Sequence, residues 1–408
     1  MEHISFYANI RVTLFRTLPK IVSDAQLDTY RTYGSPRASK PGFSNEDFVK
    51  RTERNYACVT CPVGCKHIIN IKEGRYLGSR YRVSHLDALV NHNRLGGPEN
   101  WDEIAKVVEL ENKEGIEASV VSGMLNYLVE GYHNGIFSEQ ELGFTPKRGG
   151  VQLRNLIELI VNRKGIGKYL AEGFQKVDEI KTGSEKYASH IKCVGREHRL
   201  DAEISNRTIG SLVNPRGGDF DLEKIPFGDG TTVDADVFVI KQFYADLHMD
   251  HSGVNRLWIG PDGFNVGRLT KWAEDYSSVY VSLGFCHRPI VLRQMNLNNL
   301  KDFYTAATGL ELTITELLNA GERIFNLLKL INIKFGVTRL DDTPSRGFTW
   351  PTDKPIIISG RNYGSLNQIL DEYYDERGWD PSTTIPRRER LIDLELSEEA
   401  QITEKFVP

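Results

Sequence analysis

Three of the five cysteines in this 408-residue chain fall within eight positions, Cys58-Val59-Thr60-Cys61-Pro62-Val63-Gly64-Cys65. A hydrophobic core gives no reason for a C-x2-C-x3-C spacing, whereas a metal cluster needs thiolates gathered on a short segment. Thiolates are soft donors suited to iron–sulfur clusters, zinc or copper(I), and a [4Fe–4S] cluster takes four of them. Cys193 and Cys286 are the remaining candidates for the fourth. Zinc would call for a second C-x2-C pair or spaced histidines, and His67 has no following histidine at finger spacing. Disulfides suit the odd cysteine count badly, and no secretory signal is recognised at the start of the sequence. The run therefore reads first as three ligands of an iron–sulfur cluster.

The elements that must hold these residues belong to a globular protein. Hydrophobic residues make up 40% of the chain, enough for a sizeable core, and the length predicts more than one folding unit. The formal net charge is -4, with 51 basic and 55 acidic residues mixed along the sequence, which is no footprint for nucleic acid. No apolar run reaches the roughly 20 residues of a membrane helix. A reduced, cytoplasmic protein is expected.

Hydrophobic periodicity places helices after Gly97-Pro98, with Ile104, Val107, Val108 and Leu110 on one face, and again over Ser119 to Ile136. Further helical stretches are expected over 153–160, 168–180, 237–247, 272–281, 314–333 and 365–377. In the long 314–333 helix, Leu317, Leu318, Ile324, Leu327, Leu328 and Leu330 form the expected core face. Sustained period-two alternation is scarce, so the fold is expected to be mainly α. Residues 1–50 read as a connector, 51–215 as a helical domain carrying the first three cysteines, 216–408 as a second helical domain carrying Cys286, and 219–236 as a surface loop.

Five separated segments together resemble the aldehyde ferredoxin oxidoreductase family: Cys58 to Cys65, Gly284-Phe285-Cys286, Gly321-Glu322-Arg323-Ile324-Phe325-Asn326-Leu327, Gly336-Val337-Thr338-Arg339-Leu340-Asp341-Asp342, and the stretch from Leu370 to Trp379. The resemblance runs from about residue 25 to the end. It implies helical domains 2 and 3 of that architecture, without the β-rich N-terminal base domain, which is expected on a separate chain or lost from a fragment. It further implies a tungsten or molybdenum bis-pterin beside one [4Fe–4S] cluster whose ligands are Cys58, Cys61, Cys65 and Cys286. Cys193, in the apolar-polar alternation of Ile191 to Gly195, is then expected to be a buried, inert thiol.

The same resemblance nominates pterin contacts. Asn112, Gly115, Ile116 and Glu117 fall on a D-x-x-G-L-D motif, with Asn112 and Glu117 keeping hydrogen-bonding capacity where aspartates are usual. Arg216 and Gly217 fall on an arginine-glycine segment that touches pterin phosphate, a role suited to a guanidinium fork. Phe285 and His287 flank the last cysteine. Three departures stand out: Val281 replaces the aspartate of D-x-x-G-L-C, Phe220 takes the place of a histidine beside the metal, and the E-Y-E-T segment aligns with Arg80-Tyr81-Arg82-Val83, which holds no acid. His248 and His251 are the candidate catalytic groups in their stead, with His198 nearby in sequence type.

The implied activity is oxidation of an aldehyde or related oxo group, with electrons leaving through the cluster to ferredoxin or another electron-transfer subunit. A second reading within the architecture is the tungsten subunit of a benzoyl-CoA-reductase-like complex, acting on an acyl-CoA. A third is a non-catalytic iron–sulfur subunit.

Overall fold

The computed structural model describes residues 51–56, 59, 66–84, 101–195, 206–217, 265–286, 295–343, 354–355, 357–358 and 361–403. These fall into two compact units, one drawn from Met1–Arg199, the other from Leu200–Pro344 and Phe348–Pro408. The expected connector over 1–50, the 219–236 loop and the 237–247 helix lie outside the described residues.

The first unit opens with an antiparallel sheet of β1 (Thr52–Tyr56), β2 (Lys66–Asn70) and β3 (Arg80–Ser84), in the order β1-β2-β3. Tyr56 pairs with Lys66, Arg54 with Ile68 and Arg82 also with Ile68, with a bulge between Thr52 and Arg54. The sequence reading passed over this sheet because its strands are five residues long and carry arginines where an apolar face was sought. β3 packs on α1 (Trp101–Glu114), and α1 on α3 (Gly150–Val161), with α2 (Ala118–His133) between them in sequence. Leu125, Leu128, Leu153, Leu156 and Ile157 of these helices are buried together with Phe174 and Val177 of α4 (Phe174–Ile180). Tyr127 stands edge-on to Phe174 at 5.2 Å and donates its hydroxyl to Asp178 at 2.9 Å, so its one polar atom is satisfied inside the core. The single helix expected over 168–180 is two: a turn at Gly167–Leu170, then α4 starting after Gly173, whose φ of 103° breaks the helical path.

β4 (His190–Ile191) and β5 (Val194–Gly195) form a hairpin whose two turn residues are Lys192 (φ 48°) and Cys193 (φ 64°). Two consecutive left-handed residues are the signature of a two-residue type I′ hairpin turn. The turn lifts Cys193 into solvent, so the expectation of a buried thiol is corrected: Cys193 is exposed and free. Alternation along Ile191 to Gly195 was real, but the turn interrupted it at the cysteine.

The second unit is built on α6 (Val266–Ser282), preceded by α5 (Asn206–Val213). Around α6 pack α5, α8 (Ile314–Lys334) and α9 (Leu366–Glu376), while α7 (Leu297–Thr308) packs on α8. Helices α10 (Arg388–Asp393) and α11 (Ser397–Thr403) close the described chain. α6 and α8 meet very closely at Gly321, where an added Cβ would stand 2.2 Å from the Asp275 carbonyl oxygen. Every residue of α6 from Val266 to Tyr280 except Arg268 and Lys271 is buried.

That burial includes charge. Arg377, directly after α9, is fully buried; it donates to Glu274 at 2.6 Å and to Asp275, and its guanidinium lies 4.1 Å from the Phe325 ring centre. Lys271 bridges Asp275 (2.7 Å) and Glu322 (2.6 Å), and Arg390 of α10 grips Glu322 through two bonds of 2.7 and 2.6 Å. Burial outweighs the Arg377 guanidinium and the Tyr373 hydroxyl at Glu274, pushing its carboxyl up to about 7. Glu322 goes the other way: against the pull of burial, Lys271 and Arg390 hold it at about 2. Asn326 accepts from the Trp379 indole at 2.8 Å, and buried Lys329 and Tyr374 both reach Asp342, at 3.4 and 2.8 Å.

The buried face of α8 is therefore Leu317, Gly321, Glu322, Phe325, Asn326 and Lys329. This corrects the expected all-apolar core face: Leu327 is exposed, and Leu330 is only partly buried, against Leu391, Leu394 and Leu396. Polar residues that meet partners can be buried as deeply as leucines, and periodicity alone does not see the partners.

Candidate metal and pterin centre

Cys58, Cys61 and Cys65 lie outside the described residues, but their flanks do not. The run joins the end of β1 to the start of β2, and those ends, Tyr56 and Lys66, are paired partners. Val59, described within the run, is 91% exposed. Beyond the run, buried His67 and Ile69 secure β2 in the sheet.

Cys286 is set by the end of α6. Gly284 takes φ 78°, Phe285 N–H donates back to Tyr280 O at 2.9 Å, and Leu283 N–H to Val279 O at 3.1 Å, which is the hydrogen-bond closure of a left-handed helix cap. The glycine turns the chain out, and Cys286, four residues beyond the end of α6, is exposed. Phe285 stacks on Phe303 of α7 at 5.8 Å, and Val281, at the position of the missing aspartate, is exposed.

The Asn112–Glu117 segment is a helix junction. α1 ends with Gly115 at φ 69° and Ile116 N–H bonded to Glu111 O at 3.0 Å; Ile116 packs partly buried on the core of its unit. Glu117 caps α2, its Oε2 accepting from Val120 N–H at 2.6 Å, and Asn112 donates its amide to Val108 O at 2.7 Å and to Arg82 O at 3.4 Å. Arg216 and Gly217 sit in a turn after α5: Asn214 Oδ1 accepts from Arg216 N–H at 2.9 Å, Gly217 N–H returns to Asn214 O at 3.0 Å, and Asn332 of α8 holds Pro215 O at 2.7 Å. The Arg216 side chain is exposed at this anchored turn. His198, Phe220, His248, His251 and His287 fall outside the described residues.

Three comparisons bear on this arrangement. A family model described as "Aldehyde ferredoxin oxidoreductase, domains 2 & 3" matches residues 24–396. The chain belongs to the aldehyde ferredoxin oxidoreductase family. Among its relatives, a tungsten-containing aldehyde ferredoxin oxidoreductase of Pyrococcus furiosus is 25% identical over 361 residues, which is 85% of this chain and 53% of that protein. An aliphatic sulfonate oxidoreductase, WOR-like subunit, of the same organism is 24% identical over 371 residues, 87% of this chain and 52% of that protein. The chain thus spans about half the length of the curated relatives it matches. Among solved structures, the active site complex BamBC of benzoyl coenzyme A reductase, with 1,5-dienoyl-CoA, superposes with a TM-score of 0.69 at 19% identity, covering 88% of this chain and 55% of that one. The fold is accordingly the mainly α architecture of this family's domains 2 and 3.

Of the four cysteines that the resemblance nominates as cluster ligands, Cys286 is the one among the described residues, and it is exposed beyond the end of α6. Of the residues nominated for pterin contact, Gly115 and Arg216 are exposed, while Asn112 and Glu117 hydrogen-bond within the junction. Sequence reasoning treated Arg80–Val83 only as a place where an acid is lacking. The structure shows a strand there, with Arg82 and Lys66 each 5.9 Å from the centre of the Tyr56 ring. The every-other-residue placement of Arg80 with Arg82, and of Arg54 with Tyr56, was the signal that these residues share a face.

Proposed function

We propose that the chain is the cluster-bearing helical part of a tungsten or molybdenum bis-pterin oxidoreductase that oxidises an aldehyde or related oxo group. Cys58, Cys61, Cys65 and Cys286 would hold a [4Fe–4S] cluster, with ferredoxin or another electron-transfer subunit as acceptor. The observation that carries the reading is the family match over residues 24–396, which takes in all four cysteines. When bound, the pterin-held metal supplies two-electron chemistry and the cluster relays electrons one at a time. The chain's own residues then have separable tasks. Gly115, without a Cβ and with nothing within 4 Å of where one would stand, leaves room for close approach of a ring. Arg216 offers a guanidinium to a pterin phosphate from a turn tied to α8. His248 and His251 are the candidate proton-handling groups.

A second reading is favoured by Val281 and by Arg80 and Arg82, apolar and cationic where the resemblance expects acids: a metal site furnished for a different substrate, as in a benzoyl-CoA-reductase-like subunit. Anaerobic purification followed by iron, sulfide and tungsten analysis tests the cofactor assignment. Assays of aldehyde-dependent dye reduction against reductant-dependent turnover of aromatic acyl-CoA separate the two enzyme readings. Full cofactor content with neither activity would favour an electron-transfer role without catalysis.

A further inference from the structure

Exposed Arg216 stands on a turn whose backbone is tied down atom by atom. Asn214, 1% exposed, follows α5 and donates its N–H to Gly210 O at 2.9 Å, carrying the hydrogen bonding of the helix one residue further. Its carbonyl accepts from Gly217 N–H at 3.0 Å, closing a β-turn whose fourth residue, Gly217, takes φ 70°. Glycine is the residue such a position favours. Asn214 Oδ1 accepts from Arg216 N–H at 2.9 Å, the bond two residues onward by which asparagine side chains brace turns. The carbonyl of the same Pro215–Arg216 peptide accepts from Asn332 Nδ2 at 2.7 Å. One planar peptide unit is thus gripped at both of its polar atoms, by side chains far apart in the sequence. The grip constrains ψ of Pro215 and φ of Arg216, and with them the direction in which the Arg216 Cα–Cβ bond leaves the turn.

Asn332 can serve as a fixed post because its own backbone is locked. Its carbonyl accepts from Val337 N–H at 3.0 Å, Ile333 O accepts from Gly336 N–H at 2.9 Å, and Gly336 takes φ 84°, which is the Schellman closure that ends α8. The bond from Asn332 to the turn is not needed to hold the two helices in place, since α5 and α8 both pack on α6. Its particular effect falls on the Pro215–Arg216 peptide. An arginine loses conformational freedom when it meets an anion, and a backbone locked beforehand lowers that cost.

We infer that Asn332 is a positioning residue for Arg216, assisted by Asn214: the two side chains hold the Pro215–Arg216 peptide so that the arginine is presented to a phosphate group. The inference rests on the reading of Arg216 as a pterin-phosphate contact and adds to it the groups that set the arginine in place.

The test uses the full chain with inorganic phosphate as probe, binding being followed by phosphorus nuclear magnetic resonance at constant ionic strength. The wild type is compared with Asn332→Leu, Asn332→Gln, Arg216→Gln and Asn332→Leu/Arg216→Gln, and a melting temperature is recorded for each. Leucine keeps the approximate volume of asparagine and removes the donor, whereas glutamine keeps the donor. Asn332→Leu should weaken phosphate binding about fivefold, the worth of one ordinary hydrogen bond, and Asn332→Gln should recover most of that loss. Once Arg216 is gone, Asn332→Leu should have no further effect on binding, because positioning acts only through the guanidinium. A purely structural role would lower the melting temperature in both backgrounds without weakening binding by the folded protein. Should the leucine variant fail to fold, Asn332→Ala takes its place. Arg216→Gln binding phosphate as the wild type does, or no binding by the wild type, overturns both the Arg216 reading and this inference. Weakened binding in Arg216→Gln with wild-type binding in folded Asn332→Leu overturns the inference and leaves the Arg216 reading standing. An Asn332→Leu effect of equal size with and without Arg216 also overturns the inference alone.

Discussion

Replacing Arg377 with methionine tests whether the buried charge network holds the second unit together. Arg377 is 0% exposed and is the shared partner of Glu274 and Asp275, themselves 0% and 3% exposed. Methionine fills much of the volume but leaves Asp275 with Lys271 alone and Glu274 with only the Tyr373 hydroxyl. Breaking a buried pair by removing one partner costs about 3–5 kcal/mol, and loss of the cation over the Phe325 ring adds about 1–2 kcal/mol. Urea unfolding followed by circular dichroism should show a loss of about 4 kcal/mol or more at pH 8. The sign of the pH dependence follows from Glu274. Its folded pKa, about 7, lies above the ordinary glutamate value of 4.5, so the folded state binds the extra proton between those values and stability falls as pH rises through that window. Without Arg377 the folded pKa rises further, so the penalty should be smaller at pH 5.5 than at pH 8. The double variant Glu274→Gln/Arg377→Met should recover at least about 1.5 kcal/mol, because one uncompensated buried charge is gone. A loss under about 1 kcal/mol, or one equal at both pH values, would refute the reasoning.

Gly321→Ala should cost more than about 3 kcal/mol or abolish folding of the second unit, since its Cβ would meet the Asp275 carbonyl, whereas Gly115→Ala, with open space but positive φ, should cost only about 1–2 kcal/mol; melting temperatures compare them. Lys192→Asn/Cys193→Gly should raise the melting temperature by relieving two left-handed non-glycine residues, with a gain of about 1 kcal/mol. Cys193 in the native wild type should react at once with a thiol reagent, as an exposed thiol does; slow labelling would contradict its placement in the turn. Glu117→Ala should lower stability by about 1 kcal/mol through loss of the α2 cap, and this change should be present in protein stripped of metal.

The helices were largely legible because amphipathic periodicity is a property of single segments, and α1, α2, α3, α6, α8 and α9 stand close to their expected positions. The β1-β2-β3 sheet was not, since its short strands alternate cations rather than leucines. The blocks that carried the family resemblance turn out to meet: Glu322, Phe325 and Asn326 of one contact Arg377 or Trp379 of another or the Lys271–Arg390 pair, and Asp342 of a third joins Lys329 and Tyr374. Those residues were recognisable by type, yet their roles are in packing and charge burial, which no single segment reveals. Gly115 and Glu117 illustrate the same point at the candidate site: a glycine and an acid nominated for a cofactor also terminate one helix and start the next.

The central claim is a four-thiolate cluster completed by Cys286, and its most direct measurement is iron content with low-temperature electron paramagnetic resonance after anaerobic reconstitution, compared across the wild type, Cys193→Ser and Cys286→Ser. The account predicts about four irons per chain in the wild type and in Cys193→Ser, and a lowered iron content with an altered signal in Cys286→Ser. Loss of the cluster in Cys193→Ser with retention in Cys286→Ser, or zinc in place of iron throughout, would contradict it.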